Sequence, residues 1–173
     1  RNLISRKQID AINSPILFVE LASGQNGTLT PYPGQGVGQT WLGADGATLT
    51  LERGLLKASR GMGDDLMASA SSMPPWSKIN KKTESYIREL DYMTGNNKIS
   101  KRVFSCDIEK TSSDEQIEIW DIKFKVAKFE ETCFNRSLTF KNTYQVDTQG
   151  IVRRSSQYHS DTLGSIKLER IDR

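Results

Sequence analysis

Thr40-Trp41-Leu42-Gly43-Ala44-Asp45-Gly46-Ala47-Thr48-Leu49-Thr50-Leu51-Glu52-Arg53-Gly54-Leu55-Leu56-Lys57-Ala58-Ser59 reads as three short strands joined by two tight turns. Asp45-Gly46 between apolar runs is a hairpin signal, because such turns need positive φ and these residues tolerate it. The returning strand alternates. Leu49 and Leu51 take one face, and Thr48, Thr50 and Glu52 the other. Arg53-Gly54 turns the chain again, so the stretch predicts an antiparallel meander.

Upstream, Ser5 and Gln8 have the spacing of a capping box, and Ile9 and Ile12 share a helical face. A short helix is expected there, ended by Pro15. Pro15 to Ala22 reads as a strand with apolar residues on both faces, as expected where both faces are covered. Residues 23–38 are rich in Gly, Pro, Asn and Gln and predict a loop or a weak edge hairpin. Gly34-Gln35-Gly36-Val37-Gly38 invites a phosphate-loop reading that we reject. It has no Lys-Ser/Thr and no following helix, and Pro31 and Pro33 stand where a strand is needed.

Downstream, Gly61-Met62-Gly63 breaks the meander, and residues 64–76 read as irregular. Ile79, Tyr86, Ile87, Leu90 and Met93 form a partial apolar stripe. They predict a medium helix over about 77–93, stopped at Gly95. Strands then follow one another from Lys101. Between Gln116 and Glu131 the apolar phase changes, which requires a bulge or turn near Trp120-Asp121. Asp147-Thr148-Gln149-Gly150 is a hairpin loop with Gly150 left-handed. About nine strands result. The expected fold is mainly β: one domain over 1–173, an antiparallel meander curled into a barrel-like sandwich and capped by one medium and one short helix. So many strands must curl or close to protect their edges.

The chain has 173 residues and a net charge of +3 from 24 basic and 21 acidic residues. That balance excludes a nucleic-acid partner argued from charge. Lys78-Ile79-Asn80-Lys81-Lys82, the densest basic stretch, reads as a solvated helix face, with contact to an anionic surface or polymer as the alternative. Nothing approaches 18 consecutive apolar residues, so no membrane-spanning helix is expected. The chain opens at Arg1 and not at Met, so it reads as processed or trimmed, which leaves room for a signal peptide or a lipid-anchoring cysteine upstream. Cys106 and Cys133 are the two cysteines, and one histidine cannot complete a zinc site with them. They are either two buried thiols or one disulfide. Strand-like sequence around both favours the disulfide and an oxidising compartment.

No catalytic, cofactor-binding or metal-binding residue stands out. His159 lies beside Ser160 and Asp161, but neighbours on a strand alternate faces, so adjacency is not a triad. Asp45, Asp64, Asp65, Asp107, Glu118 and the Glu130-Glu131 pair supply carboxylates, with nothing that sets two of them across a sugar. Trp41, Trp76 and Trp120 are candidate glycan or partner contacts, since indole stacks on sugar faces and also fills β cores. Core packing is expected for Trp41 and Trp120, and a surface position for Trp76 after Pro74-Pro75.

Trp41-Leu42-Gly43-Ala44-Asp45-Gly46, Arg53-Gly54-Leu55-Leu56 and Gly61-Met62-Gly63-Asp64-Asp65-Leu66 together resemble the YjbF/GfcB lipoproteins. So do Phe140-Lys141-Asn142-Thr143-Tyr144-Gln145-Val146-Asp147 and Gly150-Ile151 to Gln157. The resemblance spans nearly the whole chain and is weakest over 67–100. Gly43, Leu55 and Gln145 depart from the family pattern, which carries structural turns and strands but no reaction. The resemblance implies an outer-membrane lipoprotein facing the periplasm, tied to exopolysaccharide or group 4 capsule production or export. It also implies a barrel-like meander and strengthens the disulfide. The implied partners are export proteins or the polysaccharide itself, with no cofactor and no enzymatic activity. A glycan- or lipid-carrying barrel and a polysaccharide hydrolase are the alternatives. A carrier should show an apolar cavity or a Trp- and Tyr-lined groove, and an adaptor a flat exposed patch.

Overall fold

The computed structural model describes residues 4–34, 36 and 38–173. Gln35 and Val37 of the glycine-rich segment lie outside the described residues. A short helix, α1 (Arg6–Ile12), precedes twelve strands. They are β1 (Leu17–Glu20), β2 (Asn26–Tyr32), β3 (Gln39–Gly43), β4 (Thr48–Glu52), β5 (Leu55–Arg60) and β6 (Leu66–Ser71). After a 3-10 turn at Trp76–Lys78 come β7 (Glu84–Met93), β8 (Ile99–Ile119), β9 (Ile122–Phe134), β10 (Thr139–Asp147), β11 (Val152–Ser160) and β12 (Gly164–Arg170).

All twelve strands form one antiparallel sheet in the order β5-β4-β3-β2-β1-β12-β11-β10-β9-β8-β7-β6. Every strand neighbours its sequence neighbour except at two places. The first and last strands pair, Phe18 opposite Glu169. Side chains bridge β5 and β6, the two free edges: Arg60 donates to the Leu66 carbonyl at 2.9 Å and Lys57 to the Ser69 carbonyl at 3.1 Å. The sheet is therefore a nearly closed barrel that manages its edges by bringing them together. Strict alternation gives it two ends. The terminal end carries α1, the C-terminus, residues 72–83 and the β8–β9 tip. The far end carries six short turns, among them 44–47, 61–65 and 135–138.

Local chemistry explains the elements. Ser5 and Gln8 form the expected capping box on α1. Arg53 and Gly54 both take positive φ, 53° and 80°, and a Cβ on Gly54 would sit 2.2 Å from Val152 Cγ2. Trp120 and Asp121 likewise take φ of 49° and 67° and make the expected phase change a two-residue hairpin turn. Ala44-Asp45-Gly46 differs from expectation. Only Gly46 is left-handed, at 86°, and Gly43 N–H donates to the Ala47 carbonyl. This is a three-residue loop ending in a glycine bulge.

The medium helix expected over about 77–93 is a 3-10 turn followed by strand β7. Tyr86, Arg88, Leu90 and Tyr92 alternate inward at period two. A buried arginine in that series hid the strand period and left a stripe that mimicked a helix. Residues 64–76, expected irregular, contain β6. Residues 23–38 contain β2, an interior strand between β1 and β3. These three strands raise the expected nine to twelve.

Leu17 and Val19 enter the main core, while Ile16 and Phe18 on the opposite face enter a second, smaller one. The second core packs α1 through Ile9 against Ile117, Ile119 and Val126 of the β8–β9 tip. The two-sided apolar run is thus covered on both faces, as its pattern requires. Cys106 and Cys133 stand directly opposite on β8 and β9 and form the disulfide, Cα to Cα 4.1 Å, facing the core.

Candidate functional site

Glu131 lies at the centre of the barrel with no exposed surface. Its carboxylate accepts from Arg88 Nη2 at 2.6 Å and Nε at 3.2 Å. The Tyr86 hydroxyl also donates to it, as do Asn142 Nδ2 and the Tyr144 hydroxyl, each at 2.8 Å. Burial pushes the carboxyl up, but the Arg88 charge and these donors outweigh burial and hold it below its usual range. Burial and the Glu131 charge push Tyr144 and Tyr86 up, so both stay protonated donors. All the acceptor capacity is used within the core. Sequence reasoning did not single out Arg88, and placed Glu131 only in a carboxylate pair. Their signal was an arginine at period two among Tyr86, Leu90 and Tyr92.

Cys106, Glu131 and Cys133 lie within metal-ligand reach of one another. Both sulfurs are bonded to each other, however, and the carboxylate is bonded to Arg88. The trio does not fit a cation.

His159 is buried. Ser59 Oγ lies 2.8 Å from Nε2 and Ser160 Oγ 3.0 Å from Nδ1. Ser59 Oγ also accepts from Leu66 N–H, so this cluster helps join β5 to β6. Burial lowers the imidazole pKa, and Asp64 and Asp65 only partly offset it. The neighbours of the ring nitrogens are hydroxyls, where a triad needs a carboxylate as orienter. The candidate carboxylates do not converge either. Glu130 points outward to Lys128 while Glu131 points inward, Asp64 accepts from Thr162, and Asp107 accepts from Ser85 on the outer face.

Trp41 is buried, with the Arg170 guanidinium 5.0 Å from its ring centre. Trp120 is half-buried at the hairpin tip, edge-on to Phe18 at 5.6 Å. Trp76, expected at the surface, is 8% exposed. Pro74-Pro75 leads the chain across the terminal end and turns the indole inward. There Trp76 packs on Phe129 and Tyr144 and donates to the Arg53 carbonyl at 3.0 Å. The structure therefore does not bring the three indoles together.

Two further surfaces stand out among the described residues. One is an apolar cleft of about 580 Å³ at the far end, lined by Val19, Leu21, Leu29, Leu49, Met62 and Leu163, without Trp or Tyr. The other is the outer face of β7, β8 and β9. Among the described residues six large apolar side chains are exposed, and four lie here: Ile87 at 49%, Ile99 at 53%, Val103 at 46% and Phe134 at 45%. Ile87, Ser105 and Phe134 form one row across the three strands, because Ile87 pairs with Ser105 and Ser105 with Phe134. Clustered apolar exposure of this kind marks contact surfaces.

A family model described as group 4 capsule polysaccharide lipoprotein GfcB, YjbF matches residues 1–171. Among solved structures, the hypothetical lipoprotein YmcC from Escherichia coli K12 superposes with a TM-score of 0.86 at 20% identity. The match covers 99% of this chain and 90% of that one, and shows a shared fold. Comparison with curated proteins finds no match.

Proposed function

The chain belongs to the YjbF family of group 4 capsule polysaccharide lipoproteins, and on that premise we propose that it supports exopolysaccharide or capsule production or export without catalysis. In this reading it is lipid-anchored in the outer membrane and faces the periplasm. The anchor precedes α1 and brings the terminal end to the lipid, so the far end and the sides of the barrel face outward.

The observation that carries the reading is the exposed apolar row of Ile87 and Phe134 with Val103 beside it. It is the exposed apolar patch expected of a protein that works by contact. The test is complementation of a deletion strain. Ile87→Glu/Phe134→Glu is expected to abolish surface capsule while the protein still accumulates in the envelope, and His159→Ala to retain it. Loss of a polymer-cleaving activity in a folded His159→Ala variant would sink the non-catalytic reading.

The apolar far-end cleft favours a second reading, a carrier of a lipid or glycan. Native mass spectrometry of protein purified from its own envelope separates the two. A co-purifying lipid or glycan lost on Leu49→Trp supports the carrier.

A further inference from the structure

We propose that the outer face of β7, β8 and β9 pairs with a second copy of this chain across a two-fold axis. The proposal rests on the contact reading above and names the partner. Along β8 the outward residues run Ile99, Lys101, Val103, Ser105, Asp107, Glu109. The apolar row Ile87-Ser105-Phe134 crosses this series in its middle. Toward the far end lie the cations Lys98, Lys101 and Arg136. Toward the terminal end lie Asp107, Glu109 and, opposite Glu109 on β9, Glu130, which pairs with Lys128. The patch is thus apolar at its centre with opposite charge at its two ends, although Glu89 and Asp91 offset part of the cationic end by pairing with Lys101.

A two-fold axis along the row reverses strand direction and lays each strand over its own copy. Ile87 then meets Ile87 and Phe134 meets Phe134, and Ser105 between them leaves room for close approach. Lys101 falls over Glu109 of the second copy and Arg136 over the segment holding Thr132 and Glu130, so both ends are complementary at once. The alternative axis, parallel to the strands, sets Lys101 over Lys101 and Glu109 over Glu109 of the second copy. An isologous contact of this kind closes on itself and yields a dimer, where a head-to-tail contact would grow. The outer face of a barrel is convex, so three strands meet. At about 4.8 Å per strand and 3.3 Å per residue they offer a patch roughly 14 Å by 25 Å. That is about 350 Å² from each copy, below the size of a standard specific interface, and implies a weak, transient dimer, strengthened where copies are confined to one membrane.

Sedimentation equilibrium on the soluble chain from about 10 μM to about 1 mM tests this, the range of a weak interface. A concentration-dependent monomer–dimer equilibrium is expected. Ile87→Glu/Phe134→Glu should weaken it at least tenfold with an unchanged melting temperature. Lys101→Glu and Glu109→Lys should each weaken it several-fold, and the double exchange should restore it. A monomer at every concentration overturns the proposal, as does a dimer indifferent to all of these variants. If the chain is monomeric while the Ile87/Phe134 variant still abolishes capsule, the face serves a different protein. The contact reading then survives and the second copy does not. A wild-type dimer that the Ile87/Phe134 variant disrupts, with capsule intact in that variant, would instead leave this proposal standing and remove the contact reading.

Discussion

Arg88 on β7 and Glu131 on β9 form an ion pair at 2.6 Å inside the barrel, across the intervening strand β8, with 5% and 0% of their side chains exposed. Two charges out of water are costly to place, and here the cost is offset by four donor groups on one carboxylate. The pair ties three strands into one register that no apolar pattern would specify alone.

Removing one partner should be worse than removing both. Glu131→Leu leaves a buried guanidinium without its counter-charge, and Arg88→Met leaves a buried carboxylate. Each is expected to cost about 3–5 kcal/mol. The double replacement should cost well under the sum of the two. Urea denaturation of the four proteins gives the coupling energy directly, and additivity would show that the two groups act independently.

His159 should give the fold a pH dependence near neutrality. Its folded pKa is lowered by burial, so the unfolded chain takes up a proton first as pH falls. Stability is then fully present above about pH 6.5 and declines below it, levelling once the folded imidazole titrates, with a slope of at most about 1.4 kcal/mol per pH unit. Glu131, Asp161 and Asp172 also titrate low and act in the same direction, but only below the ordinary carboxylate range. Unfolding free energies between pH 7.5 and 5.5 isolate the histidine. His159→Gln should flatten that window.

Trp76 should prove a plug. Trp76→Ala removes a side chain packed on Phe129 and Tyr144 and leaves the Arg53 carbonyl without its donor, at an expected cost of about 3–5 kcal/mol. Acrylamide should quench Trp120 more readily than Trp41 or Trp76, a comparison made with single-tryptophan variants.

The meander of residues 40–60 was legible because each strand alternates and each turn carries glycine. The β8–β9 turn was legible from the phase change between Ile119 and Ile122, although Trp120-Asp121 is unusual turn chemistry. β7 was illegible because Arg88 occupies an inward position, and its role depends on Glu131, 43 residues away. β2 and β6 were missed because Gly27, Pro31, Ser69 and Ser71 have weak strand propensity, and pairing on both sides overrides it in β2. The exposed apolar face of β7, β8 and β9 could not be read from sequence. Ile87, Val103 and Phe134 look like core residues until register puts them outside.

The disulfide offers the remaining test. Cys106 and Cys133 close a loop of 27 residues within one strand pair. In the chain-entropy account such a loop stabilises by about 3–4 kcal/mol. Reduction or Cys106→Ala/Cys133→Ala should lower stability by that amount, and not by more, because β8 and β9 remain hydrogen-bonded on either side. A larger loss would mean that the bridge also positions Glu131, two residues from Cys133. Applied to Glu131→Gln with and without the bridge, the same measurement separates the cases. Additive losses leave a simple staple. Strong coupling makes disulfide and ion pair one unit, and reduction would then loosen the sheet between β7 and β10 as a whole. Mass spectrometry without reductant should find the chain two hydrogens lighter than its reduced form.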